Sequence, residues 1–138
     1  MAGTYRARLN DLWREGAATP VATFPRAITA LAVAPDGETV AVAQSTTLTV
    51  ISPKGRVESR AASETISGLA WTRDGQHIIT VQNDSLWWWS PNLESFRRIV
   101  KLSQGSIGSV TLSPDNTSII FTAGRPRSEV WSIAVDAR

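Results

Sequence analysis

One phrase occurs three times in this chain of 138 residues and decides its fold: "VAPDGETVAVA" at 33–43, "WTRDGQHIITV" at 71–81 and "LSPDNTSIIFT" at 112–122. Each copy is an apolar alternating run, a turn tripeptide and a second alternating run. Alternation with a period of two, carried by β-branched and aromatic residues, is typical of strands. The phrase therefore predicts two antiparallel strands joined by a tight turn in every copy.

The aspartates of the tripeptides "PDG", "RDG" and "PDN" are the fixed points of the repeat. Asp36, Asp74 and Asp115 are separated by 74 − 36 = 38 and 115 − 74 = 41 residues. An aspartate accepts hydrogen bonds from the backbone that follows it, and Gly or Asn tolerates a positive φ in such turns. We expect these three aspartates to be structural.

The sequence around each copy extends it to four strands. The third strands end in similar pairs, which are Ile51-Ser52, Trp89-Ser90 and Trp131-Ser132. A fourth run follows in two cases, "RVESRAA" at 56–62 and "SFRRIVKL" at 95–102, and is missing in the last. The predicted repeats are 26–63, 64–104 and 105–138 within one domain.

The first 25 residues are predicted to be half a repeat. "YRARLNDLWREGAATPVATF" matches a third and a fourth strand with a turn at "REGA", and Asn10-Asp11 lies 51 − 10 = 41 residues before Ile51-Ser52. The alternative is an N-terminal helix over "TYRARLNDLWREGA". The spacing and the following "TPVATFP" favour strands.

Composition excludes several classes of protein. With 42% hydrophobic and 19% charged residues, the chain is typical of a soluble folded domain. There is no cysteine, so disulfides and thiolate metal sites are excluded. The net charge is +2 and the basic residues are scattered, so no nucleic-acid partner is expected. Neither a membrane span nor a signal peptide is evident, and we expect a cytoplasmic protein with no membrane partner.

With these repeats, the chain resembles a β-propeller of the WD-repeat type. The resemblance implies an all-β fold, with blades of four antiparallel strands around a channel and about three blades per chain. The family usually ends its third strand with Trp-Asp and has Gly-His before its first strand, and neither pair occurs here. Of the family's aspartates between second and third strands only Asp84 is present. The resemblance therefore implies that the family's hydrogen-bonded support is missing.

Three consecutive tryptophans, Trp87, Trp88 and Trp89, lie on the third strand of the middle repeat. Neighbouring residues of a strand point to opposite faces. In a propeller both faces of a middle blade pack on other blades, so we predict that all three are largely buried and structural, as is Trp131. The alternative is an exposed aromatic platform for sugars or bases.

Three and a half repeats do not make a ring, since propellers have about 4 to 8 blades. An open arc would leave two apolar blade faces in water. We therefore predict self-assembly, with a homodimer of six blades favoured and a trimer of nine as the alternative. The N-terminal strand would complete a blade of the neighbouring chain by strand exchange. A fragment of a larger propeller, or another protein that supplies the missing blades, would explain the pattern equally.

No catalytic motif is evident. The single histidine, His77, has no partner His or Cys, which argues against a zinc site. The segment Gly105–Gly108 lacks the pattern of a phosphate-binding loop. We predict a protein that is not an enzyme and has neither a metal nor a cofactor.

Loops are expected to carry the function, since they are presented by a rigid scaffold. The loops before each first strand and between second and third strands should share one face. Their candidate binding residues are Arg26, Gln44, Glu64, Asn83, Asp84, Gln104, Arg125 and Arg127. Two arginines in "GRPR", 124–127, would suit a carboxylate, a phosphate or an acidic peptide. The alternative is a solvated turn.

The sequence thus predicts a non-enzymatic propeller scaffold that binds a protein or peptide through its loop face and assembles through its blade faces. One alternative is a structural propeller fragment, or a designed or evolved half-propeller, with no ligand of its own. Another is a propeller that binds a small ligand such as a sugar, or a hydrolytic one. An acidic cluster or Ca²⁺ at the channel mouth would favour the last, and only Glu64 and Asp84 are available for it.

Overall fold

A computed structural model describes residues 5–16, 18–115, 117–125 and 127–134, and every regular element within these ranges is a strand. The strands are β1 (Tyr5–Arg8), β2 (Asp11–Arg14), β3 (Ala22–Thr23), β4 (Ala30–Val33), β5 (Val40–Gln44), β6 (Thr47–Ile51), β7 (Val57–Ala61), β8 (Gly68–Trp71), β9 (Ile78–Gln82), β10 (Ser85–Trp89), β11 (Phe96–Lys101), β12 (Ser106–Leu112), β13 (Ser118–Arg125) and β14 (Arg127–Ala134). No helix long and apolar enough to cross a membrane occurs in this part of the chain.

The strands form four antiparallel sheets in chain order. Sheet 1 is β1-β2-β3, sheet 2 is β4-β5-β6-β7, sheet 3 is β8-β9-β10-β11 and sheet 4 is β12-β13-β14. Strands adjacent in the sequence are adjacent in each sheet, as expected from short connections. The all-β class and the four-stranded middle repeats are confirmed.

The prediction for the N-terminal segment is wrong in register and in strand number. It forms a hairpin, β1 with β2, in which Arg8 pairs with Asp11 around a two-residue turn. Asn10 lies in that turn and not at the end of a third strand. The turn needs a positive φ, which Leu9 adopts at 55° without the usual Gly or Asn. Sheet 1 therefore holds second, third and fourth strands, and the helical alternative is excluded.

The turn aspartates hold their tripeptides by accepting several bonds each. Asp115 Oδ1 accepts from the Ser113 hydroxyl at 2.7 Å and from the Thr117 hydroxyl at 2.7 Å. These bonds favour the ionised carboxylate and lower the pKa of Asp115 to about 2. Equivalent bonds run to Asp36 from Glu38 and Thr39, and to Asp74 from Thr72 and Gln76. The predicted structural role is therefore seen at all three positions.

The sheets stack face to face, with a separate apolar core between each pair. β4 lies against β8, and β8 against β12. In β5 all five residues are buried: Val40 and Val42 face sheet 1, whereas Ala41 and Ala43 face sheet 3. β9 is buried in the same way between sheets 2 and 4. Strands packed on both faces explain the nearly continuous apolar runs of the sequence.

The tryptophan triplet divides between two cores. Trp89 is 1% exposed and packs towards sheet 2, while Trp88 is 7% exposed and packs towards sheet 4. Trp87 points the same way as Trp89 and is partly buried. Trp87 is thus less buried than predicted, and the triplet is no exposed platform. The side chain of Trp131 lies outside the described residues.

Candidate functional site

The turns between second and third strands and the linkers into first strands form one face of the molecule, which we call the loop face. Its turns are Leu9-Asn10, Ser45-Thr46 and Asn83-Asp84, and its linkers are 24–29, 62–67 and 102–107, the last of which includes the first two residues of β12. A repeated backbone hydrogen bond joins each linker to the turn of the preceding sheet. The donors are the N–H groups of Ile28, Ile66 and Ile107, and the acceptors are the carbonyls of Leu9, Ser45 and Asn83, at 2.7 to 2.8 Å.

A second repeated bond lies beside the first. The N–H groups of Phe24, Ala62 and Leu102 donate to the carbonyls of Asn10, Thr46 and Asp84 at 2.7 to 2.8 Å. Each turn therefore accepts twice from the linker that passes it. Backbone bonds of this kind fix the loops through main-chain atoms alone.

Neighbouring linkers are also connected to each other and to the strand ends. The Thr29 hydroxyl donates to the Ile66 carbonyl at 2.8 Å, which joins two successive linkers. The Gln82 amide donates to the Ser63 hydroxyl at 3.3 Å. Sequence analysis missed Thr29 and Ser63. For Thr29 the available signal was a Thr directly after the repeated isoleucine, in "AIT", whereas Ser63 lies three residues before Ile66 and has no such signal.

Five of the predicted binding residues do lie on the loop face. Arg26, Glu64 and Gln104 are exposed on the three linkers, and Asn83 is exposed in its turn. Asp84 is half-buried, and its carboxylate accepts from the Ser85 hydroxyl at 2.9 Å. The loop face therefore carries a basic side chain, Arg26, and two acidic ones, Glu64 and Asp84.

Gln44 does not belong to this exposed set, which corrects its prediction as a binding residue. It is the last residue of β5 and only 5% exposed. A strand that packs on a neighbouring sheet at both faces is buried up to its last residue. The same is true of Gln82 at the end of β9, which is 1% exposed.

The two arginines of "GRPR" come at the corresponding turn of sheet 4. Arg125 and Arg127 pair with each other at the end of the β13-β14 hairpin. Pro126 between them, and both arginine side chains, lie outside the described residues. The backbone therefore places these arginines at the edge that forms the loop face in the other sheets, and their binding role stays a prediction.

His77 lies away from the loop face, just beyond the "RDG" turn. Its ring stacks on Trp88 with 4.1 Å between the centroids. Partial burial lowers the pKa of His77; nearby Asp74 opposes this shift and Arg97 adds to it. The imidazole is therefore a neutral packing group at pH 7. Within the described ranges, no three His, Asp or Glu side chains are grouped so that they could hold a metal ion.

Comparison with solved structures places this arrangement among known folds. The chain is similar to a protein in the crystal structure of the nidogen/laminin complex, with a TM-score of 0.79 and 12% identity over 96% of this chain and 57% of that one. The fold is a WD-repeat-like β-propeller arc. A protein in the crystal structure of the mitotic checkpoint complex is also similar, with a TM-score of 0.71 and 16% identity over 91% of this chain and 43% of that one.

The propeller arc spans about half the length of the two proteins it matches. No protein-family model matches its sequence, and no curated protein matches it either. At 12% and 16% identity the likeness concerns the fold alone, so the function has to be argued from the loop face itself.

Proposed function

We propose that this propeller arc is a non-enzymatic scaffold whose loop face binds a protein or peptide. The observation that carries the proposal is the double backbone bond between each linker and turn, which holds exposed side chains on a fixed frame. A rigid frame lowers the conformational entropy that binding would otherwise cost. The two similar structures were both solved as protein complexes, which agrees with such a role.

An acidic peptide is the partner class that suits this face best. Arg26 is exposed there, and Arg125 and Arg127 come at the same edge of sheet 4. The acidic residues of the face are Glu64, on a neighbouring linker, and the half-buried Asp84. Arginine binds carboxylates in a planar, two-pronged geometry, so a carboxylate-bearing segment is the expected ligand.

The test uses a capped, fluorescent hexapeptide of alternating Glu and Ser, with binding followed by anisotropy. We expect the double variant Arg125→Ala/Arg127→Ala to bind about tenfold more weakly, since ion pairs at protein surfaces contribute roughly 1 kcal/mol or less each. The matched control is Lys54→Ala/Arg98→Ala, which removes the same charge from exposed positions away from the loop face.

Two results would contradict the proposal. Equal binding by the arginine variant and the parent chain would remove these arginines from the site. An equal loss in the control would mean that the peptide responds only to net charge. Arg26→Ala tests the face independently of the β13-β14 hairpin and is expected to weaken binding by a smaller factor.

The proposal includes assembly through the end sheets. Trp13 lies on the side of sheet 1 that faces away from sheet 2, and its ring is only partly buried there, with no acceptor for its indole N–H in the described part of the chain. A second sheet packed on this side would bury the exposed part of the ring. We propose a second copy of the chain as that sheet.

A further inference from the structure

A crevice of about 320 Å³ lies between sheets 1 and 2, on the side opposite the loop face. Its wall includes Pro53 and Gly55, from the turn between β6 and β7. Leu12 and Val40, two buried residues of the core between these sheets, also line it. The crevice therefore lies directly over the apolar core between sheets 1 and 2, with Leu12 and Val40 at its floor covered from solvent.

Two exposed aliphatic side chains line the same crevice. Val21 is 47% exposed and Val57 is 57% exposed, and both are among the few large apolar side chains that the described residues leave exposed. They come from different sheets and lie 57 − 21 = 36 residues apart in the sequence. Single exposed apolar residues need no explanation, but two around one apolar opening mark a contact surface.

Opposite charges also line this crevice. The Arg14 guanidinium lies 5.9 Å from the centre of the Tyr5 ring, and Glu38 is exposed beside its turn. Both residues line the crevice, and neither takes part in an ion pair within the described ranges. A ligand with a charge on each side of an apolar group would meet both of them.

We propose that this crevice binds an extended segment of a partner protein, with a large apolar side chain seated in the opening beside Val21 and Val57 and an acidic side chain against Arg14. The volume is at the small end of ligand sites, which suits one inserted side chain. Because Val21 and Val57 belong to the opening, the segment gains apolar contacts on both sides of the inserted residue. A basic side chain next to it would face Glu38.

The site is independent of the loop face and does not depend on the acidic peptide proposed there. The crevice contains one arginine and one glutamate, whereas the loop-face ligand is expected to bind through several carboxylates. The two proposals can therefore fail separately, and the same chain could hold two segments of one partner at once.

The probe is a set of capped pentapeptides in which a central Phe, Leu or Ala is flanked by Asp and Lys in both orders. Binding is followed by amide shifts of the ¹⁵N-labelled chain. We expect the Phe and Leu peptides to shift the amides of Ala22, Gly55 and Val57, and the Ala peptides to bind about tenfold more weakly, since they lose most of the buried apolar area.

Variants at exposed positions decide the assignment. Val57→Asp is expected to weaken the Phe peptide about tenfold, whereas Val130→Asp, at another exposed valine far from the crevice, leaves it unchanged. Arg14→Glu should reduce the difference between the two charge orders or invert it. Thermal melts of each variant show that the fold is retained.

Three outcomes would overturn the proposal. They are equal binding by the Ala and Phe peptides, shifts confined to loop-face amides such as Asn83, and full binding by Val57→Asp. Absence of binding by every peptide of the set would do the same. Binding of a peptide at the loop face without binding in the crevice would leave the proposed function standing and remove only this inference.

Discussion

At the scale of single residues, a buried chain of side-chain hydrogen bonds supports the third sheet. Trp89 Nε1 donates to the Thr80 hydroxyl at 2.9 Å, and that hydroxyl donates to Gln82 Oε1 at 2.7 Å. The Gln82 amide then reaches Ser63 on the loop face. The absence of the Trp-Asp and Gly-His pairs predicted that hydrogen-bonded support of this kind would be missing. Thr80 and Gln82 supply it here instead. The Trp89 indole, the Thr80 hydroxyl and the Gln82 side chain thereby all find hydrogen-bond partners in this buried region.

Thr80→Val tests this chain of bonds. The substitution keeps the shape of the side chain but leaves the Trp89 donor and the Gln82 oxygen without their partner in a fully buried site. We expect unfolding to become easier by about 1–3 kcal/mol, measured in urea. Thr111→Val, at an exposed position of β12, is the matched control and should change stability little. Equal effects of both variants would mean that the buried bonds contribute nothing specific.

At the scale of elements, the middle sheets depend on strands that are buried on both faces. β10 supplies Trp88 to one core and Trp89 to the next, so one strand ties three sheets together. The partly exposed Phe96 of β11 stacks on Trp89 with 4.7 Å between the ring centroids. The Arg60 guanidinium of β7 lies 4.9 Å from the centre of the Phe96 ring. The outermost strands thus seal the cores with aromatic and cationic side chains.

Truncation of single tryptophans should therefore follow their burial. Trp88→Ala empties a site between sheets 3 and 4, and we expect a loss of about 3–5 kcal/mol in unfolding free energy. Trp87→Ala removes a side chain that is only partly buried and should cost clearly less. Trp88→Phe provides a milder change if the alanine variant does not fold. An equal loss for Trp87 and Trp88 would contradict the division of the triplet between two cores.

At the scale of the whole molecule, the described residues make four sheets, with three strands in each end sheet. Within the described ranges, sheet 1 has no first strand at its inner edge and sheet 4 has no fourth strand at its outer edge. Two copies together contain 2 × 4 = 8 sheets. A homodimer therefore has six blades only if, at each of its two junctions, an end sheet of one copy combines with an end sheet of the other into a single blade. The outward side of sheet 4 has Ile120, Thr122 and Val130, so apolar and polar side chains are mixed on it.

Mass in solution tests self-assembly. The homodimer stays a prediction, and we expect light scattering across a dilution series to give a constant mass near twice 14.9 kDa. A mass near three times that value would favour the trimer. A soluble monomer at all concentrations would contradict assembly through the end sheets. Trp13→Ala should weaken the dimer if the unpaired indole lies in its interface.

Part of the candidate site could be predicted from the sequence and part could not. Arg26, Glu64 and Gln104 lie on the expected linkers, because strand alternation and the turn aspartates fix where each linker falls. The burial of Gln44 was missed, since it depends on sheets that pack on both faces of β5. The register of the N-terminal hairpin was missed because Leu9, which carries the positive φ, is not a residue type that marks such turns.

By itself the sequence determined the strands, their turns and the repeat, because alternation with a period of two and the hydrogen bonds of an aspartate are local properties. Only the tertiary structure decided which faces meet. The bond from Trp89 to Thr80, the uneven burial of the triplet and the crevice between Val21 and Val57 all arise from residues that belong to different strands or sheets. Contacts of this kind depend on how the sheets stack, and no local pattern of residues specifies which strands come together.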